Sequence, residues 1–276
     1  MKVVSEFDCS LVPAGARIGF VPTMGALHDG HIHLLEVARK ECDFLVLSIY
    51  VNPLQFGPNE DLDRYPRPRE NDHLLASKVP VDVIFEPLVS DYTSQMSTQI
   101  TVGGLSTIWE GESRPGHFDG VATIVCKLFH SIQPHVAFFG WKDYQQCQVI
   151  QKMVRDLNFP VELRFVETVR EADGLALSSR NVYLSPQNRE IAPLLYSQLV
   201  WMKEEAEKLP DDTDPRQLES AATEFLEEAG FAVDYIAIVQ PHTMERIDRC
   251  TGKAQIIAAA KLGNTRLIDN LRIDFA

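Results

Sequence analysis

Residues 18–31 read Ile-Gly-Phe-Val-Pro-Thr-Met-Gly-Ala-Leu-His-Asp-Gly-His, an apolar run followed by a turn and the start of a helix. The last four residues place two imidazoles, His28 and His31, beside the backbone N–H groups of a helix N-terminus. Such N–H groups attract anions. Gly30 has no Cβ, so a phosphate could approach the backbone closely there. The stretch predicts a phosphate-binding turn, with Asp29 placed to cap the helix.

The alternative to a phosphate site is that the two histidines lie on a surface turn without a function. An H-x-G-H motif considered alone favours this alternative. The context favours a site. The run at 18–21 is typical of a buried parallel strand, and an apolar-rich helix follows it as far as Ala38. A second apolar strand at Phe44–Val51 completes a strand–helix–strand unit. Its right-handed crossover brings the carboxyl end of the first strand to the ligand-binding edge.

Polar side chains follow the second strand at this same edge. Asn52 and Gln55 could form hydrogen bonds to a small polar substrate, although Asn-Pro is also a common opening of a turn. Residues 58–72 are polar and interrupted by prolines, which indicates a loop able to cover a site. Residues 114–120 are rich in glycine and carry one arginine and one histidine, with no role that the sequence assigns.

Two later junctions offer cations. Lys142 follows a strand at Val136–Phe139 and precedes a helix, where the helix dipole disfavours a cation. It is therefore either a ligand for an anion or a solvated surface lysine. Ser178-Ser179-Arg180 combines two hydroxyls with a guanidinium, a set that can hold phosphate oxygens or cap a helix. Ser185-Pro186 is a clear helix start.

The element pattern predicts an α/β fold with a Rossmann-like parallel sheet and flanking helices, followed by a smaller α+β domain. We place the domains at 1–184 and 185–276. Further strands of the parallel sheet are predicted at 81–86 and 161–166, an edge strand at 98–102, and a helix from Val121. The smaller domain is predicted to hold helices at 186–209 and 215–229, separated by a linker at 209–215, and strands at 233–239, 254–260 and 266–271, with a hairpin turn at Gly263-Asn264.

Composition limits the function classes. The formal net charge of −13 argues against a nucleic-acid or anionic-membrane surface. The five cysteines are scattered without a C-x-x-C pair, which is typical of a reducing compartment. No apolar run is long enough for a membrane span, and no secretory leader is evident. We expect a soluble, cytoplasmic protein.

The sequence does not contain the motifs that are typical of several other classes of enzyme. No H-E-x-x-H or cysteine pair points to zinc, and no nucleophile-elbow sequence points to an acyl-enzyme. No G-x-G-x-x-G follows the first strand, which disfavours a dinucleotide oxidoreductase. A phosphate-oriented site favours Mg²⁺ held mainly by the phosphates of the ligand and by one or two carboxylates, with Asp72 and Asp143 as candidates.

Four blocks together resemble the pantothenate synthetase family of H-x-G-H nucleotidyltransferases. They lie at 22–31, 52–56, 138–146 and 177–181, and the resemblance covers almost the whole chain. This family joins pantoate to β-alanine with ATP through a pantoyl adenylate, releasing pyrophosphate and then AMP. Two departures are Trp141, where a polar residue is expected, and Glu70-Asn71-Asp72, where adjacent aspartates are frequent.

The resemblance implies roles for a set of residues, most of which lie in these blocks. It makes His28, His31, Lys142 and Arg180 the catalytic groups, acting on the ATP phosphates. The remaining ATP contacts would come from Met24, Gly30, Gly140, Asp143, Val169, Ser178 and Ser179. Pantoate would contact Gln55, Gln146, Pro22 and Phe56. Mg²⁺ would accompany ATP, with Asp72 as a metal ligand, and the protein would be a homodimer.

Two other functions remain open from the residues alone. A nucleotidyltransferase acting on a phosphorylated small molecule would share the H-x-G-H turn, but it would carry cations in place of Gln55 and Gln146. A nucleotide-binding module would bind ATP and show no turnover that depends on an acid.

Overall fold

A computed structural model describes residues 1–58, 60–211 and 213–275. Asn59 in the predicted loop, Asp212 in the predicted linker and Ala276 lie outside the described residues. The chain forms two compact units. The first comprises Met1–Trp141 and Gln146–Glu167, and the second comprises Lys142–Gln145 and Thr168–Ala276. The composition-based boundary at residue 184 lies within the second unit and stays a prediction.

The first unit is built on a parallel sheet of six strands in the order β1-β4-β3-β2-β5-β6. The strands are β1 (Lys2–Val4), β2 (Ile18–Thr23), β3 (Phe44–Ile49), β4 (Val83–Phe85), β5 (Val136–Gly140) and β6 (Glu162–Val166). The helices are α1 (Asp29–Lys40), α2 (Arg69–Ala76), α3 (Val89–Tyr92), α4 (Glu110–Ser113), α5 (His117–Ile132) and α6 (Tyr144–Asp156), of which α6 has its first residues in the second unit. The Rossmann-like fold class is confirmed.

Apolar burial explains why the central strands form. β2 lies between β3 and β5, and Phe20 is fully buried opposite Val46 and Ala137. A strand covered on both faces reads as a continuous apolar run, which is the pattern of residues 18–21. Leu35 of α1 belongs to the core cluster on this sheet. Burying one such side chain stabilises the fold by roughly 1.5–3 kcal/mol.

The predicted apolar face of α5 is buried as expected, from Val121 to Ile132. At 16 residues, α5 is shorter than a bilayer crossing requires. Across the described residues, no helix combines the length and hydropathy that would carry it through a membrane.

The second unit packs helices against a three-stranded antiparallel sheet. Its helices are α7 (Pro186–Ile191), α8 (Leu194–Ala206) and α9 (Arg216–Glu228), and its strands are β7 (Phe231–Val239), β8 (Lys253–Leu262) and β9 (Thr265–Asp274). The three predicted strands and the hairpin at Gly263-Asn264 are therefore confirmed. Gly263 has φ +60°, a backbone conformation that a residue without Cβ adopts at little cost.

Four local predictions were wrong in detail. Residues 98–102 form no strand, and the N–H of Ile100 instead donates to Thr123 Oγ1 at 2.9 Å. The predicted helix 186–209 is interrupted at Pro193, because proline has no N–H to continue the helical ladder. His28, and not Asp29, is the N-cap of α1. The predicted loop 58–72 gives way to α2 at Arg69.

Candidate active site

The turn after β2 is set by its backbone. Gly25 and Ala26 both have positive φ, at +78° and +49°. Thr23 Oγ1 donates to the carbonyl of Ser48 at 2.7 Å and accepts the N–H of Gly25 at 3.3 Å. These bonds attach the turn to β3 and direct the chain into α1. An alanine in the left-handed region costs free energy, so neighbouring contacts must hold the turn.

Asp72 supplies those contacts. Its two carboxylate oxygens accept the N–H groups of Ala26 at 2.9 Å and Leu27 at 2.7 Å, and the residue is only 1% exposed. A Cβ on Gly25 would lie 2.8 Å from Asp72 Oδ2, so glycine is required by space as well as by φ. Burial raises the pKa of Asp72, while the two backbone N–H groups act to lower it. The sequence pattern did not reveal this role.

The hydrogen bonds of Asp72 also affect whether this carboxylate could bind a metal ion. Both oxygens of Asp72 already face backbone N–H groups. Over residues 1–58, 60–211 and 213–275, no group of three or more His, Cys, Asp or Glu side chains is placed to hold an ion. The assignment of Asp72 as a metal ligand stays a prediction that these contacts do not support.

His28 and His31 lie together at the start of α1. Their ring centroids are 4.1 Å apart, and the N–H of His28 donates to His31 Nδ1 at 3.3 Å. Because Nδ1 of His31 accepts a hydrogen bond there, a neutral His31 carries its proton on Nε2. Asp29 lies in the first turn, where its charge complements the helix dipole. The two rings therefore form a compact pair of potential donors at a helix N-terminus.

Asn52 fixes the orientation of the Gln55 amide. Asn52 Oδ1 accepts the N–H of Leu54 at 3.0 Å, and Asn52 Nδ2 donates to the carbonyl of Gly120 at 3.1 Å. These backbone partners assign the two atoms of the Asn52 amide, since an N–H only donates and a carbonyl only accepts. Asn52 Nδ2 also donates to Gln55 Oε1 at 3.0 Å. The Nε2 of Gln55 is then the atom left to donate to a ligand oxygen.

The backbone of Gln55 is held from the other side by His117. His117 Nδ1 lies 2.8 Å from the Gln55 carbonyl oxygen, and His117 Nε2 lies 3.2 Å from Arg114 Nη1. A carbonyl only accepts and a guanidinium only donates, so the imidazole is neutral with its proton on Nδ1. Burial, together with the charge of Arg114, lowers the pKa of His117 to about 4, although the hydrogen bond to the Gln55 carbonyl and the charges of Glu110 and Glu60 act in the opposite direction. The sequence alone assigned no role to His117.

This pKa predicts acid sensitivity. Histidine in an unfolded chain has a pKa near 6.5. As the pH falls, the unfolded state therefore binds a proton near pH 6.5, whereas folded His117 binds one only near pH 4. Stability is full above pH 6.5 and falls between pH 6.5 and 4. Between pH 7 and 4 we expect the wild type to lose about 3 kcal/mol more free energy of unfolding than His117→Asn. Urea unfolding of both proteins across this range checks it, and parallel pH curves would contradict it.

The other predicted ligands in the first unit are partly exposed. They are Pro22, Met24, Gly30, Phe56, Gly140 and Gln146. Phe56 packs edge-to-face on Tyr65, with ring centroids 5.9 Å apart. A Cβ on Gly140 would meet no atom within 4 Å, which leaves open space beside the end of β5. Trp141, the departure noted above, stacks on Phe165 at a centroid distance of 4.4 Å. The tryptophan thus has a packing role in this chain.

The second unit holds Lys142. Its Nζ lies 3.4 Å from Asp143 Oδ1, and its side chain is 22% exposed. Asn270 of β9 donates from Nδ2 to the Lys142 carbonyl at 3.1 Å, and Tyr144 donates from its hydroxyl to the Pro241 carbonyl at 2.8 Å. The short 142–145 segment is therefore attached by hydrogen bonds to β9 and to the turn that follows β7.

The remaining predicted ATP ligands also lie in the second unit. Ser178 Oγ accepts the N–H of Arg180 at 3.3 Å and caps a 3₁₀ turn at Ser179–Tyr183. The carbonyl of Val169 accepts the N–H of Leu177 at 3.0 Å, just before this cap. Since α7 has its own cap in Ser185, the serines at 178 and 179 are not needed to start that helix. Capping and ligand binding remain compatible at Ser178.

The chain is similar to known proteins over nearly its whole length. A family model described as pantoate–β-alanine ligase matches residues 3–272. The chain belongs to the pantoate–β-alanine ligase family. It is accordingly an ATP-dependent ligase of pantoate and β-alanine.

Named relatives of this ligase span its whole length. The pantothenate synthetase of Thermus thermophilus is 48% identical, over 99% of this chain and 98% of that protein. The pantothenate synthetase of Acinetobacter baumannii is 49% identical, over 99% of this chain and 97% of that protein. These relatives confirm the resemblance drawn from the four blocks.

Solved structures of the family agree in fold. Pantothenate synthetase from Thermus thermophilus superposes with a TM-score of 0.92 at 48% identity, covering 98% of this chain and 99% of that chain. Pantoate–β-alanine ligase from Francisella tularensis, complexed with beta-gamma ATP and beta-alanine, gives a TM-score of 0.80 at 33% identity, covering 98% of this chain and 97% of that chain.

Proposed function

We propose that this ligase makes pantothenate in two steps through a pantoyl adenylate. A pantoate carboxylate oxygen forms a bond to the α-phosphorus of ATP, and the bond from that phosphorus to pyrophosphate breaks. The amine of β-alanine then attacks the acyl carbon, AMP leaves, and the amine gives up a proton. The observation that carries the proposal is the pair His28 and His31 at the N-terminus of α1, in a chain that belongs to this family.

Adenylation needs positive charge and donors more than it needs a base. Negative charge develops on the phosphoryl oxygens and on the leaving pyrophosphate. We assign His28, His31, Lys142 and Arg180 to these oxygens, with the N–H groups of α1 as further donors. Met24, Gly30, Gly140, Asp143, Val169, Ser178 and Ser179 are assigned to the remaining contacts with ATP.

Pantoate recognition is assigned to the amides. The N–H groups of Gln55 Nε2 suit a carboxylate or hydroxyl oxygen, because Asn52 already occupies Oε1. Gln146 adds a second amide, and Pro22 and Phe56 offer apolar surface for the dimethyl group of pantoate. A second phosphate would instead call for cations in these places, which favours the acid over the nucleotidyltransferase alternative.

Mg²⁺ enters this proposal as part of the substrate. The described residues offer no carboxylate cluster for an ion, and Mg²⁺ bound to nucleotides is held largely by phosphate oxygens and water. We assign it to the ATP phosphates.

The cytoplasmic location and the homodimer also stay predictions, and the molar mass in solution would test the latter.

Exchange of labelled pyrophosphate into ATP isolates the first step. We expect exchange with Mg²⁺ and pantoate in the absence of β-alanine, and none without pantoate. Adding β-alanine should then give pantothenate and AMP. Folded protein that binds ATP without such exchange would favour the binding module, and exchange only with a phosphorylated acceptor would favour the nucleotidyltransferase.

Replacing Gln55 with alanine should raise the KM for pantoate by at least about tenfold, since a substrate oxygen loses its donor. The KM for ATP should change by less than about twofold, because this amide is not assigned to the nucleotide. Exchange rates measured over both substrate concentrations check the result. A rise confined to the KM for ATP would reverse the assignment of the two pockets.

A further inference from the structure

The segment at 114–120, which the proposed reaction leaves without a role, contacts the Gln55 turn directly. A Cβ on Gly120 would lie 2.3 Å from the carbonyl oxygen of Leu54, so the first turn of α5 touches the backbone of the 53–55 turn. The Gly120 carbonyl accepts a hydrogen bond from Asn52. The position of the amide that we assign to pantoate therefore depends on the start of α5.

Arg114 connects this turn to the segment that follows it. Its Nη2 lies 3.4 Å from the Gln55 carbonyl oxygen and 2.5 Å from Glu60 Oε2, and its Nε donates to Glu60 Oε1 at 2.9 Å. Glu110 Oε1 lies 3.4 Å from Nη1, the same nitrogen that faces His117. One guanidinium thus contacts two carboxylates, an imidazole and a backbone carbonyl.

Both ionic groups of this connection are partly buried. The exposed fractions of the Arg114 and Glu60 side chains are 16% and 24%. Burial acts to raise the pKa of Glu60, but the hydrogen bonds and charge of Arg114 outweigh it and hold the pKa below its usual value. A paired, fork-shaped contact of this kind fixes geometry as well as charge. Lysine could replace the charge of Arg114 and could not replace its five donors.

We propose that Arg114 and His117 are positioning residues for the acid substrate, which hold the Gln55 carbonyl and tie the pantoate-binding turn to Glu60. The inference rests on the proposed function in assigning Gln55 to pantoate. Neither side chain is assigned to a reacting atom. Their effect on the reaction passes through the backbone of Gln55, which both of them contact by hydrogen bonds.

Three variants test the positioning role. His117→Leu removes the donor to Gln55, His117→Asn retains a donor near the position of Nδ1, and Arg114→Lys keeps the charge without the fork. We expect the leucine and lysine variants to raise the KM for pantoate about tenfold in pyrophosphate exchange. The KM for ATP and the maximal exchange rate should change by less than about threefold, and His117→Asn should recover most of the loss.

A second histidine on the same helix provides the control. His130 Nδ1 lies 2.9 Å from the carbonyl of Cys126 within α5, far along the chain from the Gln55 turn. His130→Asn should leave the KM for pantoate unchanged. Equal rises in the KM values for pantoate and ATP, or a loss of thermal stability with no change in either, would overturn the positioning role.

Two measurements that do not depend on catalysis test the network of hydrogen bonds that joins Arg114 and His117 to Gln55 and Glu60. The ¹⁵N spectrum of the imidazoles should show a neutral Nδ1–H ring that does not titrate between pH 5 and 8 and is missing in His117→Asn. Amide exchange by mass spectrometry should quicken in the peptide around Glu60 in Arg114→Lys. If both signatures were found and the wild type showed no pantoate-dependent pyrophosphate exchange, the proposed function would fail and the network would stand. A titrating His117, or unchanged amide exchange, would refute the network itself.

Discussion

Replacing Lys142 with alanine is expected to slow pyrophosphate exchange about 100- to 1000-fold, the size found when one preorganised charge stabiliser is removed. The loss should fall on the maximal rate, because the ammonium is assigned to charge that develops during adenylation. His28→Ala should have an effect of similar size for the same reason. Exchange rates at saturating pantoate and ATP measure both losses.

Lys152 offers a matched control on the following helix. It pairs with Asp156 at 2.6 Å and is partly exposed, with no role assigned in the reaction. Lys152→Ala should keep the wild-type exchange rate within about twofold, as expected for a surface ion pair. A loss below about threefold in Lys142→Ala would remove this lysine from the mechanism.

Asp72→Ala is expected to lower the free energy of unfolding by about 4 kcal/mol, because two buried N–H groups lose a charged acceptor. The same change should weaken ATP binding, since the turn that carries His28 would lose its support. Asp72→Asn keeps one oxygen acceptor and should show a smaller loss. Urea unfolding and ATP titration follow the two effects.

The result also separates support of the turn from metal binding. If Asp72 served a metal, its alanine variant would need more Mg²⁺ while its unfolding in urea stayed normal. Glu70→Ala is the control on the same helix, since Glu70 is exposed in the first turn of α2. We expect its stability to lie within about 0.5 kcal/mol of the wild type.

The sequence predicted the features that local patterns encode. Continuous apolar runs located β2 and β3, Gly263-Asn264 located the hairpin, and Ser185-Pro186 located the start of α7. Local signals could not reveal β1, because Lys2–Val4 is a largely exposed edge strand that lacks an apolar run and depends on pairing with β4. The break at Pro193 did have a local signal, the proline itself.

The site was predictable as a set of residue types and not as a set of contacts. Asp72 reaches a turn 45 and 46 residues earlier, and Asn270 reaches a carbonyl 128 residues earlier. His117 contacts a carbonyl 62 residues earlier. Such pairs arise only once the sheets have formed, so single-residue chemistry could not assign these side chains to the turn, to Lys142 or to Gln55.

The attachment of the 142–145 segment limits how the gene could be divided or recombined. Lys142 is encoded between β5 and α6, within the stretch that supplies the parallel sheet, yet its main chain is held by Asn270 from the last strand. A fragment ending before β9 would retain all six strands and both histidines and would lose that hold on its lysine. The stretch that supplies the parallel sheet is therefore not an exchangeable module, and we expect substitutions at Asn270 to disturb the main chain at position 142.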